Sequence, residues 1–427
     1  MRITSEEIEN FNQKIHSEHQ EAYAFLSLQL DKKGRDASSV VEKLQAFQVA
    51  IPSWALGSGG TRFGRFSGGG EPGSLEEKIE DVGLIHALTQ AAGAISLHIP
   101  WDIPTDPEGI KERASSLGIK FDAVNSNTFQ DQPDNANSYR FGSLSSNLSA
   151  SRQQAIEHNI EVIRYGEMLG SKALTIWLAD GANFPGQRNF RQALELTQDS
   201  FRQIYAHLPH DWTMLVEYKP YEPNFYATVI QDWGTSLMLA EGCGERAHTL
   251  VDLGHHLPNT NIEQIVATLL MRGRLGGFHF NDSKYGDDDL TCGSIKPYQL
   301  FLIFNELVYG MQRNDTGNPP LAWMIDASHN IKDPLEDLIQ SLEAILIAYA
   351  QALLVDQEAL KDAQQANDVT WCQEILQRAY RTDVRPLIAQ ARLNSGGAID
   401  PIGLYRQLDV RNQLIKSRGR KVMATGL

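Results

Sequence analysis

Basic residues are few relative to acids in this 427-residue chain: 38 Lys and Arg stand against 53 Asp and Glu, a formal net charge of −15. Such a balance disfavours nucleic acid and anionic lipid as partners. Long apolar runs are also missing. No stretch approaches the roughly twenty apolar residues that a membrane span requires, and the opening MRITSEEIENFNQK has no hydrophobic leader core. The three cysteines, Cys243, Cys292 and Cys372, are isolated and show no C-x-x-C spacing, which fits a reducing cytoplasm. Cys292 follows an acidic cluster but has no patterned partner and reads as a bystander thiol. The patterns G-x-x-x-x-G-K-[ST] and G-x-G-x-x-G are absent even from the most glycine-dense stretch, LGSGGTRFGRFSGGGEPGS, so a phosphate-cradling loop is not supported. Those glycines instead permit a long loop, anchored by Arg62, Phe63, Arg65 and Phe66, of the kind that forms a lid or touches a neighbouring subunit.

What is present is an alternation of short apolar runs and amphipathic segments. Residues 5–46 read as helical, with a break at Lys33-Gly34-Arg35-Asp36. The runs FQVAIPSW, AISLHI, FDAVNS, ALTIW, TMLVE, TLVDL, GGFHF and LAWMID then predict eight strands. Helices are expected near 108–117, 152–169, 188–207, 223–241, 261–272 and 297–309. Ser74-Leu75-Glu76-Glu77 reads as a capping box, and Asp333-Pro334-Leu335-Glu336 as the start of a long helix to about Asp356. Eight parallel strands with helical crossovers are the count of an α/β fold, the (β/α)8 TIM barrel. The expected organisation is N-terminal helices over 1–46, a catalytic barrel over 47–356, and a C-terminal helical extension over 357–427 that packs on the barrel or on another subunit.

The strand ends carry the chemistry. Glu217, Asp252, His279 and Asp326 end strands five to eight, which are neighbours in a closed barrel, so three carboxylates and an imidazole should converge. Clustered carboxylates cannot all stay ionised at close range without a cation, and this oxygen-rich set favours Mn²⁺, Co²⁺ or Mg²⁺. A second group, His255 with Asp287 and Asp289 of the YGDDDL segment, lies on the following loops. Alone it would read as a solvated acidic loop; beside the first group it points to a second ion, with Asp-x-Asp placing two carboxylates on one side of an extended segment. Trp54, His98, Phe129, Trp177 and Lys219 are the candidate pocket. Each alone is as well explained by packing, but together at one barrel mouth they fit a polyol, with aromatic walls and a few hydrogen-bonding groups.

The segments IPSWALGSGGTRFGRF, SLHIPWD, NSNTFQD, WLADGANFPGQ, VEYKPYEP, VDLGHHLPNTNIE, GGFHFNDSKYGDDDL and MIDASHNIKDP resemble the L-rhamnose isomerases, of the broad-specificity bacterial kind, in the xylose-isomerase-like barrel superfamily. The similarity runs from about residue 5 to 406. It implies a homotetramer interconverting L-rhamnose and L-rhamnulose, and accepting rare sugars such as D-allose and D-psicose. It further implies two divalent ions per subunit, Mn²⁺ before Co²⁺ or Mg²⁺: a structural one on Glu217, Asp252, His279 and Asp326, and a catalytic one on His255, Asp287 and Asp289. Trp54, His98, Phe129, Trp177 and Lys219 match the sugar-contacting positions, and Phe63 and Phe66 lie in a loop that in similar enzymes reaches an adjacent subunit's site.

The expected reaction is a metal-assisted 1,2-hydride shift between C2 and C1, with Asp326 or Asp289 near the water that shuttles the hydroxyl proton, His98 assisting ring opening and Lys219 holding a substrate oxygen. A cis-enediol route is the rival chemistry. A metal-dependent nuclease is disfavoured by the acidic charge, a non-catalytic sugar binder has no need of seven ligands, and a 3-epimerase requires carboxylates on opposite sides of C3 and normally one metal.

Overall fold

The computed structural model describes residues 1–57, 66, 68–313, 321–329 and 331–420. Eight parallel strands close into a barrel in chain order: Ala50–Pro52, Ala94–Ile99, Lys120–Ser126, Ala173–Ile176, Thr213–Glu217, Ala247–Asp252, Leu275–Phe280 and Ala322–Ile325. Closure is made at Ala50, which pairs with Ala94 of the second strand and Met324 of the eighth. All eight predicted runs are strands of the expected (β/α)8 barrel. The crossovers include helices Leu75–Thr89, Pro107–Ser116, Ser149–Leu169, Phe190–Ala206, Trp233–Glu241, Ile262–Met271 and Pro297–Arg313, and Pro334–Leu353 follows the last strand.

The two-residue period of each strand separates two environments. Ala123, Leu215 and Leu250 form a small apolar cluster of their own within the barrel, distinct from the large core beneath the helices. Stepping two residues along the same face from Leu215 and Leu250 leads to Glu217 and Asp252, so the acids stand on a thin apolar floor. Gly277 belongs to the same inner layer below His279; a Cβ there would lie 2.2 Å from the Ala322 carbonyl oxygen, which the close seventh and eighth strands do not allow. On the outer face, Phe278 stacks on Trp323 at 5.8 Å and Phe280 on Phe304 at 5.6 Å, with ring planes within 7° and 9°. These rings hold the strands that carry His279 and Asp326 against the helix Pro297–Arg313.

Two expectations about local structure need correction. The helix read over 223–241 covers only Trp233–Glu241, capped by Asp232 through the Thr235 N–H. Residues 223–232 are an excursion in which Ala227–Thr228 pairs antiparallel with Gly181–Ala182, tying the loops after strands four and five together. At the capping box, Ser74 does accept from the Glu77 N–H, but the Glu77 carboxylate accepts from Gly73 rather than from the cap residue itself.

The N-terminal helices Ser5–Asp31 and Ala37–Ala46 and the tail helices Gln357–Ala366, Val369–Tyr380, Arg385–Asn394, Pro401–Gln407 and Val410–Arg418 lie outside the barrel. The first helix meets the tail at the Gly396-Gly397 break: buried Asn12 donates to the Gly397 carbonyl and accepts from the Ile399 N–H, both at 2.9 Å. Among the described residues no single helix is long and apolar enough to cross a membrane. Phe280→Ala, which deletes a fully buried ring of the outer stack, is expected to cost roughly 3–5 kcal/mol and lower the thermal midpoint by several degrees; an unchanged midpoint would show that the stack does not brace the strands.

Candidate active site

A cavity of about 490 Å³ opens at the C-terminal mouth of the barrel, and two unlike walls enclose it. Strands one to four and their loops supply Trp54, His98, Trp101, Phe129 and Trp177, with Asn125 and Thr175 beneath them. Strands five to eight and their loops supply Glu217, Lys219, His255, His279, Asp287, Asp289 and Asp326.

The aromatic wall is continuous. Ring centroids run from Trp54 to His98 at 5.3 Å, His98 to Phe129 at 5.4 Å and Phe129 to Trp177 at 4.8 Å, while Trp101 lies 4.4 Å from His98. Burial lowers the His98 pKa to about 3, so its imidazole is neutral. Trp54 also crosses to the acidic wall, donating from its indole N–H to Asp326 Oδ1 at 2.9 Å.

On the acidic wall, Glu217, Asp252, His279 and Asp326 can each present one ligand atom, all within 4.8 Å of one another. Asp252 is held from behind: its Oδ1 accepts from the Gly254 N–H at 2.7 Å and from Asn281 Nδ2 at 3.0 Å. Its Oδ2 is buried without a hydrogen bond, as are Nδ1 of His255 and Nδ1 of His279. The two imidazole nitrogens lie 3.2 and 3.3 Å from Glu217 Oε1 yet lack the alignment of a hydrogen bond. Lone-pair atoms buried and turned toward one space are what a divalent cation needs, so this group fits a metal ion.

The electrostatics reflect the same crowding of carboxylates. Burial opposes charge on His279, but the neighbouring carboxylates prevail and raise its pKa to about 10, and they raise His255 well above the usual imidazole value. Burial likewise opposes ionisation of Glu217, yet the charges of His279 and His255 hold it below the ordinary carboxylate range. Asp326 is pushed to about 7 by burial and by the Asp252 and Glu217 charges, against the pull of His279, and Asp289 is raised well above its usual value by burial and the charges of Asp287 and Asp326.

The loop after the seventh strand sorts its acids by backbone conformation. Asp287 and Asp289 adopt left-handed φ of 51° and 49°, so the segment is a tight coil rather than the extended strip anticipated from Asp-x-Asp. Both line the cavity, whereas Asp288 accepts from the N–H groups of Lys284, Tyr285 and Gly286 and folds the loop. Asp282 similarly accepts from Ile295 and Lys296 and closes the loop's base. Asp287 bonds His255 Nε2 at 3.0 Å and Lys219 Nζ at 2.6 Å.

Several residues escaped the sequence reading. Glu222 pairs with Lys219, whose ammonium also lies 5.0 Å from the Trp177 ring centroid. Asp102 accepts from Ser53 Oγ at 2.5 Å, the His98 N–H at 2.9 Å and Lys78 Nζ at 2.6 Å, in an ion pair with side chains 1% and 0% exposed. Trp101, five positions before the helix cap Asp106, had the same composition signal as Trp54 but no strand end to mark it. Phe66 is 70% exposed and does not line this chain's cavity, and Phe63 lies outside the described residues.

Over 416 residues the chain is 52% identical to probable sugar isomerase mlr5709 of Mesorhizobium japonicum, covering 97% of this chain and 96% of the relative. It is 53% identical over 396 residues to probable sugar isomerase R00627 of Rhizobium meliloti, covering 93% and 92%. The chain belongs to this family of probable sugar isomerases. No family model matches it. Among solved structures, its fold is shared with D-allulose 3-epimerase from Methylomonas sp. (TM-score 0.51, 12% identity, 71% of this chain and 98% of that one) and with 3-keto-D-glucoside 4-epimerase YcjR from E. coli (0.50, 12%, 70% and 98%). The cavity of this sugar isomerase joins an aromatic wall to an acidic one.

Two outcomes follow from this geometry. Adding Mn²⁺ to chelator-stripped protein at about a hundredfold over its dissociation constant should stabilise the fold by about 2.7 kcal/mol, read as a raised melting temperature. Asp252→Asn and Glu217→Gln should abolish that response, and a melting curve blind to every divalent ion would sink the metal assignment. Because the His98 pKa falls from 6.5 unfolded to about 3 folded, its contribution is full above pH 6.5 and is lost as pH falls toward 3. The stability gap between the wild type and His98→Gln should therefore narrow between pH 7 and pH 4; a constant gap would mean that the ring is charged or exposed.

Proposed function

We propose that this sugar isomerase interconverts L-rhamnose and L-rhamnulose, accepts D-allose and D-psicose as further substrates, and works as a cytoplasmic homotetramer with two divalent ions per subunit, Mn²⁺ first among them. The observation that carries the reading is the cluster of Glu217, Asp252, His279 and Asp326 facing an unbroken aromatic wall across one sugar-sized cavity. His255, Asp287 and Asp289 would hold the second ion beside it. The one-sided placement of the acids supports an isomerase over a 3-epimerase: the lining residues from strands one to four include no carboxylate, whereas epimerisation at C3 needs acids on both faces of the sugar.

Bound divalent ions would polarise the sugar's carbonyl and stabilise the negative charge developing on its oxygen. The chain's own residues do the rest. His98, neutral, donates its one N–H to the ring oxygen as the ring opens. Lys219, fixed between Glu222 and Asp287, donates to a substrate hydroxyl. The C2–H bonding pair then moves to C1, and the proton leaving O2 is delivered to O1 by a water held near Asp326 or Asp289. Trp54, Phe129 and Trp177 keep bulk water from the carbonyl.

Metal-stripped enzyme given back Mn²⁺, Co²⁺ or Mg²⁺ should convert L-rhamnose to its ketose in preference to other aldoses; conversion of a different aldose alone would move the substrate, and none at all would end the isomerase reading. A single turnover in D₂O should leave C1 of the ketose free of deuterium. Substantial label there would replace the hydride shift with an enediol. Lys219→Ala is expected to lower kcat/KM by 10²-fold or more, a loss of about 3 kcal/mol in transition-state stabilisation.

A further inference from the structure

Asp289 stands on a loop rather than at a strand end. Its backbone is left-handed, burial and the charges of Asp287, Asp326 and Asp252 press on its carboxylate, and among the described residues it is Ser328 that hydrogen-bonds it. Ser328 Oγ donates to Asp289 Oδ2 at 3.0 Å, and the Ser328 N–H donates to the Asp289 carbonyl at 3.1 Å. Ser328 itself belongs to the loop after the eighth strand. What fixes one loop against the other therefore decides where the carboxylate stands.

That fixing converges on one residue outside the cavity. Asp337, in the first turn of the helix Pro334–Leu353 and 3% exposed, accepts from His329 Nδ1 at 2.7 Å and from Thr291 Oγ1, with Lys332 Nζ 3.3 Å away. His329 directly follows Ser328, and Thr291 lies two residues after Asp289. A single buried carboxylate on a rigid helix thus pins both flanks of the Asp289–Ser328 contact while touching neither the cavity nor any proposed ligand.

We propose that Asp337 is a positioning residue for Asp289, holding the loops after strands seven and eight in the register that completes the second ion site. The inference rests on the two-ion reading above and names what that site depends on. Outer groups that orient ligands typically change metal affinity by about 10–100-fold when lost.

The test is calorimetric titration of metal-free full-length protein with Mn²⁺, comparing wild type, Asp289→Asn, Asp337→Asn and Thr291→Val, with melting temperature measured on the same samples. Asp289→Asn identifies the second ion's signal. Asp337→Asn should reproduce it, weakening that ion by about tenfold or more while the first ion stays within about twofold. Thr291→Val, which keeps the side chain's shape and removes only its hydroxyl, should give a smaller loss at the same ion. Equal weakening of both ions alongside a fallen melting temperature would reduce Asp337 to a structural residue, and unchanged affinity at both would likewise overturn the proposal. Wild-type protein that binds no Mn²⁺ would instead bring down the metal reading itself, taking this inference with it.

Discussion

Like charges crowd together at the mouth of this barrel, and the surrounding architecture is explained by the need to hold them there. Glu217, Asp252, Asp287, Asp289 and Asp326 share a buried region in which, among the described residues, His255, His279 and Lys219 are the counter-charges. Burial and mutual repulsion both push these acids to disperse or to take up protons, which is why Asp326 and Asp289 are raised while Glu217, pressed between two imidazoles, is lowered. A flexible scaffold would relieve the strain by moving. The barrel cannot, because its strand ends are fixed by ladder pairing on both sides and by stacked rings behind them. The stored repulsion is the affinity that a cation would draw on.

The two halves of the acidic wall are held by different means. Strand-end residues inherit their direction from the two-residue period, so Glu217 and Asp252 follow Leu215 and Leu250 with no extra apparatus. The acids of the seventh loop have no such template. Their positions are built from hydrogen bonds within the loop: Asp288 gathers three backbone N–H groups, Asp282 three more, and the left-handed residues on either side of Asp288 line the cavity. Asp288 thus shapes the loop so that Asp287 and Asp289 can face the cavity.

This difference explains what could be read from the sequence. The eight strands were legible because each is a short, largely apolar run between amphipathic segments, and the acids at the ends of the fifth, sixth and eighth runs were legible because a closed barrel makes consecutive ends adjacent. The seventh loop was legible in composition but not in geometry: three consecutive aspartates give no sign of which one turns inward, since that depends on backbone donors several residues away. The excursion over 223–232 was mistaken for helix because its pairing partner, Gly181–Ala182, lies more than forty residues upstream and the two-residue ribbon is too short to carry a period. Glu222, Asp102 and Asp337 went unmarked as well. Asp102 and Asp337 act through partners distant in the chain, Ser53 and Thr291 among them, and Glu222, though only three residues from Lys219, is a lone acid in a polar stretch with no pattern of its own.

Asp102 shows how such an unmarked residue bears on function. A buried ion pair is weak evidence for stability, since desolvating Lys78 and Asp102 offsets most of their attraction. Yet this carboxylate makes three directional bonds: two reach the aromatic wall, at Ser53 beside Trp54 and at the backbone of His98, and the third ties them, through Lys78, to the first outer helix. An apolar replacement could fill the volume but could not fix the register of strand one against strand two at their ends, where ladder pairing has already stopped. On the acidic wall the register is set by carboxylates that also face the cavity or lie just behind it. On the aromatic wall, where Trp54 bonds across to Asp326, a carboxylate buried behind Trp54 and His98 does the same work. Both walls of the cavity are therefore positioned by acids, and only one of them shows its acids to the sugar.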